Sequence, residues 1–186
     1  MTAAETVRLV LRSLDEAGIP HMLVGSFASS RWGMPRSTHD VDLIIDPTHA
    51  SLTRFEELIG RADLYLGPDP HEALDLRDQF NVIDTHANWK VDLIIRPDTE
   101  FERNRFSRRV EGLLMDSPVW ISSAEDTVLA KLLWAQMSGS ERQVRDAAGI
   151  LEVQAEVIDN DYLDHWASEL DVAEWLAKAR GANAEG

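Results

Sequence analysis

Residues 21–46, HMLVGSFASSRWGMPRSTHDVDLIID, pair two short apolar runs through a small-residue segment and a turn at Gly33 and Pro35. The first run (Met22, Leu23, Val24) ends at Gly25-Ser26, and the second carries Asp40 and Asp42. Side chains of a strand alternate between faces, so the two carboxylates point one way while Val41 and Leu43 point into a core. Like charges held together on an apolar strand repel and lose hydration. A cation offsets both penalties, and magnesium is the simplest candidate. Gly25 permits close approach of a ligand to the backbone, and Ser26 opens a predicted helix whose first N–H groups favour phosphate. A phosphate cradle beside a pair of metal-binding acids suggests nucleotide chemistry.

Gly25-Ser26, thirteen intervening residues and then Asp40-Val41-Asp42 resemble the Gly-Ser…Asp-x-Asp signature of the polymerase-beta-like nucleotidyltransferases. Arg36 and Thr38 resemble the Arg-x-Thr-x-Asp-x-Asp variant of bacterial members, among them toxins of abortive-infection systems. The likeness covers roughly residues 20–150. It implies a third carboxylate on a later strand, and WKVDLIIRP supplies Asp92 in the same apolar setting. It also implies two magnesium ions, typically about 3.5–4 Å apart, bound by Asp40, Asp42 and Asp92. Asp92 would complete the catalytic metal site and help deprotonate an acceptor hydroxyl. Gly25, Ser26, Arg36 and Thr38 would serve the nucleotide. SAEDTVLAKLLWA and SERQVRDAAGILEVQ look similar to toxin-like segments whose lysine and Arg-Asp pair approach the nucleotide. On that likeness Lys131 would neutralise triphosphate charge as part of the catalytic set. Arg145 and Asp146 would belong to the nucleotide site, with Asp146 orienting Lys131 or a base.

Composition narrows the remaining classes. The chain has 186 residues, 44% of them apolar and 27% charged, as in ordinary globular proteins. It contains no cysteine, which excludes disulfides and thiolate metal sites and fits a reducing cytosol. No run approaches the roughly 18 apolar residues of a membrane span, and no signal peptide is legible, so a cytoplasmic location and no membrane partner are expected. A formal net charge of −15 argues against broad nucleic-acid binding. The single dense basic cluster, Arg103, Arg105, Arg108 and Arg109, reads as a solvated arginine-rich loop in preference to an RNA contact.

Along the chain, apolar spacing predicts a helix over 3–17, strands at 21–24 and 39–45, and a helix over 48–58 stopped by Gly60. Residues 66–72 read as a loop or the start of a short helix. A hairpin is predicted from 80–85 and 89–95, and a further strand pair from 108–115 and 119–121. From Ser123, capped through Asp126, the pattern is helical, including a helix over 141–156. Trp120, Trp134, Trp166 and Trp175 are assigned to a helical core or an interface. HEALD at His71 lacks the second histidine of a zinc-protease helix, the six histidines show no ligand spacing, and Asp159 reads as a helix cap.

The expected fold is α+β: a nucleotidyltransferase-like mixed sheet flanked by helices over 1–121, with a helical segment over 122–186 packed on it. The expected function is magnesium-dependent transfer of a nucleoside monophosphate from an NTP to an acceptor hydroxyl on tRNA, a protein or a small molecule. The alternative is a non-catalytic nucleotide-binding module, one component of a toxin–antitoxin pair. An antitoxin or a second copy of the chain would then be the partner.

Overall fold

A computed structural model describes residues 1–62 and 64–182. They form two compact units: residues 1–27 with the described part of 38–121, and residues 28–37 with 122–182. The first helix, α1 (Ala3–Ala17), is closed at its start by a reciprocal Thr2–Glu5 capping box and at its end by Gly18 in the left-handed region. Its apolar stripe, Val7, Val10, Leu11 and Leu14, is buried. After Pro20 the chain enters β1 (His21–Val24), which is buried throughout. Then come α2 (Gly25–Trp32), β2 (Asp40–Ile45) and α3 (His49–Gly60). Gly60 is the last residue of α3, not a stop before it, and Arg61 caps the helix.

Residues 65–76 hold more structure than their prolines suggested. They form β3 (Tyr65–Gly67) and α4 (Pro70–Leu76), whose Asp69 cap accepts hydrogen bonds from the His71 and Glu72 amides. The predicted hairpin is β4 (Gln79–Asp84) and β5 (Trp89–Ile95). Its turn is tied down by Asp84, the last residue of β4, which is 1% exposed. Asp84 accepts from the His86 and Ala87 amides and from the Thr6 hydroxyl at 2.6 Å. These bonds, led by the one from Thr6, hold its carboxyl below the usual aspartate range. Helix α5 (Glu100–Ser107) precedes the last pair, β6 (Val110–Leu114) and β7 (Ser117–Ile121). The basic cluster is therefore only in part a loop: Arg103 and Arg105 are on α5, and Arg108 and Arg109 form the connection to β6. Arg105 is buried against Glu102, Arg103 pairs with Asp98, and Arg109 lies over the rings of Phe106 and Trp120.

The seven strands form one mixed sheet in the order β3-β4-β5-β2-β1-β7-β6. Strands β2 and β5 are parallel and central, which explains their near-continuous apolar runs: each has a neighbour on both sides and core on its inner face. The core between sheet and helices includes Phe55 and Phe80, in edge-to-face contact at 6.4 Å.

In the second unit α6 (Ala124–Ser138), α7 (Glu141–Val153), α8 (Asn160–Glu169) and α9 (Ala173–Ala182) pack on one another, and residues 28–37 pack with them. Helix α7 ends at Val153, three residues earlier than predicted. A Cβ at Gly33 would stand 2.9 Å from the Ile150 amide nitrogen, so only glycine allows this approach. Trp32 donates to the Ser122 carbonyl at 2.8 Å, and its own carbonyl accepts from Gln154 at 2.8 Å. Asp126 is fully buried and accepts from Ser123 and from the Tyr162 hydroxyl. Asp159 caps α8. Of the four tryptophans, Trp166 and Trp175 are half-buried among the helices, whereas Trp120 on β7 is 40% exposed and Trp134 on α6 is 60% exposed, so these two do not fill a helical core. Among the described residues no helix is long and apolar enough to cross a membrane.

Candidate functional site

The alternation predicted for the DVDLII strand is present: Asp40 and Asp42 are half-buried while Val41 and Leu43 are fully buried. Parallel pairing of β2 with β5 places Asp42 opposite Asp92 and Asp40 opposite Lys90. Period-two geometry then puts Asp40, Asp42, Lys90 and Asp92 on one face of two adjacent strands. Asp92 is 7% exposed; its Oδ1 is buried with no hydrogen-bond partner, and its Oδ2 receives the Lys90 ammonium at 2.7 Å. That bond raises the Lys90 pKa above the ordinary lysine value, with the charges of Asp92, Asp40 and Asp42 adding to it. Thr38 donates its hydroxyl to Asp40 Oδ1 at 2.5 Å, fixing that carboxylate.

Gly25 has φ +65°, and a Cβ built on it would fall 1.9 Å from Asp42 Oδ2. The backbone between β1 and α2 is therefore in contact range of the Asp42 carboxylate, a closeness that only glycine permits. Ser26 follows at the start of α2, whose first turn carries no acidic residue to oppose an anion.

In the second unit Arg36, Lys131 and Asp146 form a cluster. Lys131, 6% exposed, donates to Asp146 Oδ2 at 2.8 Å, and Arg36 Nε lies 3.8 Å from the same oxygen. Arg36, Arg145 and Asp146 line a cavity of about 290 Å³ with Ser29, Met34, Pro35 and Gly149. The sequence-predicted residues thus fall into two groups. Gly25, Ser26, Thr38, Asp40, Asp42 and Asp92 belong to the unit that holds the sheet, and Arg36, Lys131, Arg145 and Asp146 to the helical unit. Arg36 stands four residues before Asp40 in the chain. A larger cavity, about 470 Å³, lies along the β6–β7 hairpin and the end of α1, lined by none of these residues.

Two features escaped the sequence reading. For Lys90 the available signal was its place two residues before Asp92 on one strand face, which gains meaning only with the register. The pairing of His49 with His71 had no such signal. Their Nδ1 atoms are 2.9 Å apart, and their Nε2 atoms meet Asp75 and Glu56 at 3.0 Å, because α3 and α4 lie side by side.

The donor set on β2 and β5 is all carboxylate oxygen, the chemistry of a hard divalent cation. The orphaned Asp92 Oδ1 and the backbone-to-carboxylate closeness at Gly25 both fit such a group. Among the described residues no three histidine or carboxylate side chains converge on one point, and Asp92 Oδ2 is turned onto Lys90.

No family model and no curated protein matches the sequence. Solved structures do match. A nucleotidyltransferase-like protein from Paracoccidioides brasiliensis aligns over 98% of this chain and 89% of its own, with a TM-score of 0.63 and 18% identity. ANT(2")-Ia in complex with adenylyl-2"-tobramycin aligns over 90% and 96%, with a TM-score of 0.60 and 13% identity. The lincosamide antibiotic adenylyltransferase LnuA, bound to lincomycin, aligns over 82% and 98%, with a TM-score of 0.55 and 11% identity.

Proposed function

We propose that this chain, which has the fold of the polymerase-beta-like nucleotidyltransferases, is an enzyme that transfers a nucleoside monophosphate from an NTP to the hydroxyl of a small molecule. The observation that carries the reading is the β2–β5 register, which sets Asp42 beside Asp92 and Asp40 on the same face. Asp92 keeps a buried oxygen without a partner. Three acids gathered on one face of two central strands repel one another, and a bound cation relieves that cost.

Asp40, Asp42 and Asp92 would hold magnesium, two ions in the reading the resemblance implies. Such ions supply charge neutralisation and alignment of the attacking and leaving oxygens. The chain's own residues do the rest. Gly25 admits a phosphate oxygen to the backbone, and Ser26 with the start of α2 offers hydrogen-bond donors to it. Thr38 keeps Asp40 aimed at the site. Within the helical unit, Asp146 orients Lys131 beside the cavity that Arg36 and Arg145 line, cations suited to phosphate charge. In the transfer, the acceptor oxygen bonds to the α-phosphorus while the bond to pyrophosphate breaks. The acceptor proton passes to the Asp92 carboxylate. Rate comes chiefly from positioning and charge stabilisation.

A small acceptor is favoured over a long RNA by two observations. The net charge of −15 draws cations and repels polyanions. In addition, two structures sharing the fold contain an antibiotic or its adenylyl derivative. The test is release of pyrophosphate from each NTP with magnesium, across a panel of aminoglycosides, lincosamides and bulk tRNA. Acceptor-dependent release, reduced at least about 100-fold by Asp42→Asn, is the expected result. Release that Asp42→Asn leaves unchanged, or release with tRNA alone, would contradict the reading.

A further inference from the structure

We propose that Lys90 is a built-in counter-cation of the carboxylate face, one that a divalent ion must displace from Asp92 before the three acids can hold it. The inference rests on the reading of those acids as metal ligands. Lys90 and Asp92 stand two residues apart on β5, and the parallel register sets Lys90 opposite Asp40. Its ammonium, 2.7 Å from Asp92 Oδ2, therefore occupies the one face on which all three carboxylates lie.

The two partners differ in freedom. The Asp92 side chain is 10% exposed and the Lys90 side chain 43%. The carboxylate is held by its strand, whereas a flexible four-carbon stem lets the ammonium swing into water. A dication on Asp92 Oδ1 would stand within a carboxylate's width of the ammonium on Oδ2, and the two repel strongly. When a cation binds, Lys90 is the group that moves. Until then it offsets the mutual repulsion of Asp40, Asp42 and Asp92.

The consequence is a face that holds free divalent ions weakly. The negative charge of an NTP shifts the balance toward the metal, so metal and nucleotide load together and the displaced ammonium is released toward solvent or phosphate.

The test is Mn²⁺ binding by calorimetry without nucleotide, joined to thermal unfolding in EDTA, on wild type, Lys90→Met, Lys90→Gln and Lys90→Arg. Lys90→Met keeps the stem and loses the charge, and is expected to bind Mn²⁺ about tenfold more tightly, equivalent to about 1.4 kcal/mol. Lys90→Gln should behave likewise should the methionine variant fold poorly, and Lys90→Arg should bind as weakly as wild type. In EDTA the neutral variants should melt below wild type and recover when Mn²⁺ is added. Unchanged or weaker Mn²⁺ affinity in both neutral variants, with wild type binding, overturns the role of Lys90 and leaves the metal reading standing. Absence of Mn²⁺ binding in every variant, or binding that Asp42→Asn does not reduce, overturns the metal reading and this inference with it.

Discussion

An alanine at position 25 would force its Cβ into the Asp42 carboxylate while also holding a left-handed backbone. The strain alone costs about 1–2 kcal/mol. Chemical denaturation of Gly25→Ala should show that modest loss with the fold retained. NTP binding should fall as far as in Asp42→Asn, because the carboxylate has been pushed aside. Normal NTP binding by Gly25→Ala would detach the turn from the site. A second residue-scale prediction concerns acid. Asp84 has a folded pKa held below the ordinary 3.8, so its contribution to stability is present above that value and is lost as pH falls through the folded pKa. Thr6→Val removes the leading hydrogen bond to that carboxylate, at a cost of about 1.5–3 kcal/mol. Followed by circular dichroism, the variant should unfold at a higher pH than wild type during acid titration. An identical acid midpoint would rule out Asp84 as a determinant of acid stability.

At the scale of elements, α6 and α7 are joined by the buried Lys131–Asp146 pair. Asp146→Asn would leave the Lys131 ammonium buried without its partner, a loss of about 3–5 kcal/mol. Lys131→Met should cost less, since Arg36 remains 3.8 Å from Asp146. The double variant Lys131→Met/Asp146→Leu should recover most of the loss in urea denaturation, and additive losses would contradict the assignment of one coupled pair. Legibility at this scale follows local chemistry. Helix α1, strands β1 and β2 and the β4–β5 hairpin could be read because capping, alternation and turn residues agree with burial. The β3–α4 segment could not, since its strand exists only by pairing with β4. The arginine cluster misled for a related reason: its composition resembles a loop, whereas the carboxylates and rings that engage it come from the fold. Of the site, the acids and Gly25 stood out as polar or small residues inside apolar runs. Lys90 did not, because a lysine at a strand start is ordinary until register sets it opposite Asp40.

For the whole molecule, the division into two units at residues 28–37 had no sequence marker. That segment carries small and polar residues whose burial is decided by α7, more than a hundred residues later. Net charge was legible and has a consequence. A polycationic acceptor should associate faster at low ionic strength, so its KM should rise several-fold between about 50 and 300 mM salt while kcat changes little. A KM independent of salt would remove long-range charge from the account of acceptor choice. The most direct measurement of the central claim is calorimetric binding of the four NTPs to wild type and to Asp40→Asn/Asp42→Asn, with magnesium and with EDTA. At least one NTP should bind wild type only with magnesium, and the folded double variant should lose that binding by tenfold or more, about 1.4 kcal/mol. Binding that ignores both EDTA and the double substitution, or no binding of any NTP to wild type, would contradict the claim that these acids form a nucleotidyl-transfer site.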